Sequence, residues 1–563
     1  MKQGVKRRPG RGLVHTALAA AAALCVGAAS LAGLPRAVAV EAGEGEAVPS
    51  SLRRLTEAQY RATIADAFGT DIKVSGRFEP EMRIQGMLAA GARTVGLTPN
   101  GLENYEGMAR SVAAQVVDPA HRAKLVGCEP GAADAKGKAC AEAFFDRVGL
   151  RLFRRPLLAD ERAVLVANSL DAARQLGDFH AGLAAGLTGM LVDLPALFQI
   201  DRYVPDPARR GQRTLDAWSR ASRLSYLLWN TAPDDALLQA ARTGALMTDA
   251  GLAAQVDRMI ASPRFRDSGR AFFDDFLQLD GFASLSKDAL LYPAFRASVP
   301  AAAREQTLRT IDQLLFVENG DYRSLFTTRR VAMNRVLSPL YRIPLSGHDW
   351  SMVELPADDP HVGMLSQVGF MALHSHPGRT SPTLRGKAIR EIFLCEEVSP
   401  PPANVNFAIV QDTSNPQFKT TRERLRAHLD DEECASCHRR TDGIGLVFER
   451  FDGAGQSRMS ENGEPIDTSG TFDKAPVADP VALGAAIGNS TKASQCLVRS
   501  AFRYAAGRPV GPGDAPLLTR LDAVFASSGY RMAALFRALA DSPEYYADPA
   551  QRFLTARSVS RSR

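Results

Sequence analysis

The chain has 563 residues, 45% of them apolar and 23% charged, a composition that excludes wholesale disorder and leaves room for several hydrophobic cores. Its formal net charge of +6 resides in the first 39 residues, where six basic side chains stand without an acidic one. The remainder is electrically balanced, so no nucleic-acid partner is expected.

Residues 1–39 read as a secretory signal peptide. Lys2, Lys6, Arg7, Arg8 and Arg11 precede an apolar run from Leu13 to Leu31, and Ala37-Val38-Ala39 supplies a small-residue cleavage site. No later stretch approaches the ~18 apolar residues of a membrane span. The expectation is therefore a periplasmic, cell-surface or extracellular protein with no transmembrane helix after cleavage.

Past this point the pattern is mostly helical. Thr56-Glu57-Ala58-Gln59 has capping-box spacing, Tyr60, Ile64, Ala67 and Phe68 follow at helical intervals, and Gly69 ends the run. FFDRVGLRLFRRPL (144–157) predicts an amphipathic helix that breaks near Pro156, with the next entered through Asp160-Glu161. Residues 221–246 predict two helices divided at Thr231-Ala232-Pro233. Further helices are expected over 249–261, 264–279, 300–318, 384–396, 420–430, 479–506 and 530–541. Strand-like alternation is sparse, so the expected class is all-α, a multi-module helical protein. Pro-containing breaks at 204–212, 343–360 and 399–417 suggest helical modules at 50–125, 126–205, 212–342, 358–460 and 478–550.

Cleavage removes Cys25 and leaves six cysteines. Cys128 and Cys140 bracket a short Gly/Ala/Lys segment and suit a local disulfide staple. If Cys434 and Cys437 serve another chemistry, Cys395 and Cys496 remain to pair.

That other chemistry is suggested by Cys434-Ala435-Ser436-Cys437-His438. In C-x-x-C-H two thiols anchor one covalent haem c and the histidine is the proximal iron ligand, all three lying within one helical turn. A chain of this composition contains such a pentapeptide by chance only about once in 1,000 cases, and an export signal suits haem attachment. Two rivals stay open. A disulfide could close over the two intervening residues; zinc would need four ligands, and His428 completes only a three-membered set of odd spacing.

Several blocks together resemble one family: LRRLTEAQYRATIADAFG (52–69), LFRRPLLADE (152–161), SRLSYLLWNTAPDDALL (222–238), GMLSQVGFMALHSHPGRTSPTLRGKAIREIFLC (363–395), CASCHRRTDGIGLVFERFDGAGQSR (434–458) and FRYAAGRP (502–509). The chain is similar to the planctomycete-type cytochrome c-like exported proteins, built from serial domains of unknown function and also found in myxobacteria-like genomes. The resemblance implies haem at Cys434, Cys437 and His438 and names no substrate. Many relatives read Met-Asp-Pro-Ile-Gly after the haem histidine, whereas this chain has Thr441-Asp442-Gly443-Ile444-Gly445, so no methionine there can bind iron.

The candidates for the sixth iron position are His376, His374 and Met459; Arg379 and Arg385 are possible partners of the haem propionates. The main reading is an exported single-haem c-type cytochrome-like protein. It would serve in electron transfer, or as the redox module of a periplasmic or cell-surface assembly, with a redox protein as partner. A peroxidase-like haem enzyme with an open distal iron site is the first alternative, and a non-enzymatic binding or assembly protein with structural haem the second. No catalytic residue is assigned: HExxH, GxSxG and phosphate-cradling loops are missing from the sequence. The adjacent pairs Asp234-Asp235 and Asp274-Asp275 would diverge by about 100° on a helix.

Overall fold

The computed structural model describes residues 48–130, 135–347, 349–399, 411–428 and 432–549. The expected signal peptide, 1–39, and Cys25 lie outside them.

Thr56 caps the first helix, Glu57–Phe68, reciprocally: its hydroxyl accepts from the Gln59 N–H at 3.2 Å, and the Gln59 carboxamide oxygen accepts from the Thr56 N–H at 3.3 Å. Such a cap contributes about 1 kcal/mol. Gly69, at φ 97°, then turns the chain in a conformation that L side chains resist. Tyr60, Ile64 and Phe68 form the buried face. They join helices Pro99–Val117, Ala135–Leu152, Ala159–Leu176 and Phe179–Val192 around one core, which runs from Leu55 to Phe198 and admits Tyr226.

A second, larger core runs from Tyr203 to Tyr546 and also takes in Met87, Ala89 and Ala90. Its helices include Ala217–Leu228, Phe265–Phe276, Val299–Ile311, Thr491–Ala506, Ala515–Ser527 and Met532–Ala540. Side chains of the central segment and of both C-terminal segments therefore share one interior.

Strands β1 (Val48–Arg54), β2 (Phe198–Pro205) and β3 (Arg213–Leu215) form an antiparallel sheet in that order. The 204–212 break is largely the β2–β3 hairpin connection, in which the Asp206 carboxylate accepts from the Ala208 N–H at 2.8 Å. Buried Asp201 on β2 holds the sheet to its surroundings. It pairs with Arg223 at 2.6 Å and Arg93 at 2.9 Å and accepts from the Ser51 hydroxyl at 2.7 Å. Burial alone would raise its pKa, but the two guanidiniums outweigh burial and hold the carboxyl well below the usual range.

The protein is thus mainly helical, as expected, but small sheets correct the all-α reading. The helix expected over 479–506 is two, Pro480–Gly488 and Thr491–Ala506. Asn489 and Ser490 separate them, both residue types that favour helix ends because their side chains compete for backbone groups.

Disulfides join Cys128 to Cys140 and Cys395 to Cys496, the pairings expected from the sequence. The second closes 101 residues, tying the chain just after the RTSPTLRGK block to the Thr491–Ala506 helix. Among the described residues no helix is long and apolar enough to cross a membrane.

Candidate functional site

The RTSPTLRGK block begins a helix, Pro382–Ala388: the Ser381 hydroxyl accepts from the Leu384 N–H at 3.3 Å, and Pro382 occupies a first-turn position where its missing N–H costs nothing. CASCHRR belongs to a second helix, Glu432–Gly445, which places positions 434, 437 and 438 on one face. The side chains of Cys434, Cys437 and His428 lie outside the described residues.

Glycine allows these two helices to touch. A Cβ at Gly386 would overlap the Thr441 carbonyl oxygen, and one at Gly445 would overlap that of Pro382. The backbone contact delivers Thr383 to the CxxCH helix. There the His438 Nδ1 lies 2.8 Å from Asp442 Oδ2, while Asp442 Oδ1 accepts from the Thr383 hydroxyl at 2.8 Å and the Thr441 hydroxyl at 3.1 Å. An ionised carboxylate only accepts, so the network assigns the ring proton to Nδ1. In the neutral imidazole the lone pair then belongs to Nε2, the arrangement by which proteins orient a metal-binding histidine.

His438 opens onto a cavity of about 750 Å³, whose walls also include His376, Arg379, Thr383, Leu384 and Leu425. This volume lies within the range of about 300–1,000 Å³ usual for small-molecule and cofactor sites. Burial, Arg379 and Lys287 bring the His376 pKa down to about 4, so the ring is neutral near pH 7. Lys287 donates from Nζ to the Ser375 and His376 carbonyls at 3.0 Å each, fixing the loop that carries the ring. The half-buried Arg379 guanidinium has no hydrogen-bond or ion-pair partner among the described residues. Burial and neighbouring Arg424 lower its pKa. Arg424, by contrast, is committed to Glu461.

The remaining predicted site residues are elsewhere. His374 is off the cavity wall, with its Nε2 buried and unpartnered among the described residues and its ring 4.5 Å from that of Phe370. Met459 is 69% exposed and does not line the cavity. Arg385 corrects the expectation of a propionate partner: it is 0% exposed and donates to the carbonyls of Phe448, Phe451 and Asp452 at 2.9, 3.1 and 2.7 Å. A guanidinium spent on backbone oxygens clamps the FERFD segment and is withheld from the cavity. Val447, Phe448 and Phe451 likewise belong to the main core and not to the cavity wall. The paired aspartates are structural too: Asp234 caps the Asp235–Arg242 helix, and Asp274 pairs with Arg304 at 2.7 Å.

Asp442, Thr383 and Lys287 were not singled out from the sequence. For Asp442 the signal was present as an acid four residues after His438 on a helix, the spacing at which side chains meet. Thr383 and Lys287 reach the site only through tertiary contacts.

Four family models match the chain in series, each described as a protein of unknown function: DUF1587 over residues 53–118, DUF1592 over 215–343, DUF1588 over 361–461 and DUF1585 over 473–545. The DUF1588 match spans both crossing helices. No curated protein and no solved structure matches the chain. With the CxxCH and RTSPTLRGK blocks meeting at one cavity inside this series, the chain belongs to the planctomycete-type cytochrome c-like proteins assembled from serial domains of unknown function.

Proposed function

We propose that the protein is an exported, single-haem c-type cytochrome that transfers electrons to and from a redox protein partner, with Cys434 and Cys437 as the covalent anchors and His438 Nε2 as the proximal ligand. The observation that carries this reading is the cavity itself: His438, oriented by Asp442 at 2.8 Å, shares its walls with the neutral His376 and with Arg379, whose guanidinium has no partner among the described residues. This donor set fits a haem, with an imidazole for the iron and a guanidinium for a propionate. When bound, the group supplies a one-electron ferric/ferrous couple. The chain's own residues orient the His438 ring through Asp442 and fix the loop bearing His376 through Lys287.

Of the three candidates for the sixth position, His376 is the one on the cavity wall, and we assign it that role. Its neutrality also supports the second reading, a peroxidase-like enzyme in which His376 accepts a proton beside an open iron site instead of binding it. Export is supported by the two disulfides, which suit an oxidising compartment.

A pyridine-haemochrome spectrum of protein expressed with a haem-attachment system tests the proposal, with and without organic extraction and carbon monoxide. Non-extractable haem with a low-spin spectrum insensitive to carbon monoxide is expected. A carbon-monoxide-binding spectrum would favour the enzyme. Absence of haem while a control cytochrome matures in the same cells would overturn both readings and leave Cys434 and Cys437 as a disulfide.

A further inference from the structure

Asp442 receives three donors. Oδ2 takes the His438 Nδ1–H at 2.8 Å, and Oδ1 takes the hydroxyls of Thr383 at 2.8 Å and Thr441 at 3.1 Å. A His–Asp pair four residues apart on an exposed helix face is an ordinary local contact. This one differs because Asp442 is buried and its partner stands on the cavity wall. Thr383 also arrives from a second helix at a backbone crossing that Gly386 and Gly445 make possible.

The two oxygens act in opposite senses on His438. A buried carboxylate accepting from Nδ1–H draws that proton towards itself and makes the ring a stronger donor at Nε2, which favours the more highly charged ferric ion. The Thr383 hydroxyl withdraws charge from the same carboxylate and so moderates the effect.

Resting on the haem reading above, we infer that Asp442 and Thr383 together set the potential of the site as positioning residues acting through His438. Asp442 lowers the potential and Thr383 raises it. The couple is the simple one-electron exchange between ferric and ferrous iron, with the electron supplied by an external one-electron donor.

The test is the midpoint potential of the purified holoprotein and of its Asp442→Asn and Thr383→Val variants, from optical redox titration with dithionite and ferricyanide, alongside the covalent haem content of each sample. Asp442→Asn, which keeps the shape but weakens the acceptor, is expected to shift the ferric/ferrous equilibrium about tenfold towards ferrous, an upward change of about 59 mV for one electron. Thr383→Val, nearly isosteric, is expected to move the potential downwards. A general loosening of the site would shift both variants in the same direction. That result, or an Asp442→Asn potential equal to the parent's, overturns the inference while leaving haem binding intact. If Asp442→Asn retains no haem, Thr383→Val decides: a fall supports the inference, and a rise or no change overturns it. A parent protein without covalent haem defeats the underlying reading and the inference with it.

Discussion

Gly386 lies so close to the Thr441 carbonyl oxygen that the two helices of the candidate site are in backbone contact. A methyl group there has only main chain to displace. Gly386→Ala is therefore expected to separate the helices, remove the Thr383–Asp442 hydrogen bond and destabilise the protein by about 1–3 kcal/mol, the usual cost of overpacking. Urea denaturation and covalent haem yield, measured together, check it. An alanine variant with parental stability and parental haem content would show that the crossing is not as tight as described.

The two arginines of the RTSPTLRGK region should behave oppositely. Arg385 is fully buried on three carbonyls and near Glu449, at 3.4 Å, so Arg385→Ala leaves those acceptors unpaired and is expected to cost about 3–5 kcal/mol. Arg379 makes no such bonds among the described residues, and Arg379→Ala should change stability by no more than about 0.5 kcal/mol. Its effect belongs in the haem spectrum and in the retention of haem during maturation. Thermal unfolding of the two variants side by side separates them.

His376→Ala is expected to convert a low-spin, carbon-monoxide-insensitive spectrum to a high-spin, carbon-monoxide-binding one. His374→Ala and Met459→Ala should leave the spin state unchanged, since neither residue lines the cavity. Optical spectra of the three variants suffice. A loss of the low-spin form in either of the last two would remove His376 from the sixth position.

Stability should fall in acid through Asp201. Arg223 and Arg93 outweigh burial and depress its folded-state pKa, so its contribution is present above the unfolded carboxyl value, about 3.9, and is lost as pH falls further. Asp201→Asn, which leaves two buried guanidiniums uncompensated, should destabilise by about 3–5 kcal/mol near pH 7 and flatten the acid limb. Urea midpoints between pH 7 and pH 3, with and without the substitution, measure both effects. A parallel acid limb in the variant would place the titrating group elsewhere.

Reduction of the Cys395–Cys496 bond frees 101 residues in the unfolded chain, and the Cys395→Ser/Cys496→Ser double variant is expected to lose about 2–5 kcal/mol. The shorter Cys128–Cys140 loop should matter less. Melting curves of the two double-serine variants rank them.

The sequence by itself determined the local features of this protein. Thr56 and Gln59 specify a helix start because both partners of the cap lie within four residues, and the apolar period after them specifies the buried face. C-x-x-C-H is likewise self-contained, as is the short staple, whereas the long disulfide, its cysteines 101 residues apart, followed only by elimination. Features whose partners are distant in the chain were decided by tertiary structure. The pairing of β1 with β2 joins segments about 150 residues apart, so neither short strand announces itself by local alternation. Arg379 and Arg385 are both arginines of one loop-and-helix segment, yet one faces a cavity and the other is consumed by the carbonyls of Phe448, Phe451 and Asp452. His376 and His374 differ in the same way. Burial and hydrogen bonding are properties of the surroundings, and the surroundings of Thr383, Asp442 and His438 exist only because two glycines let two helices meet.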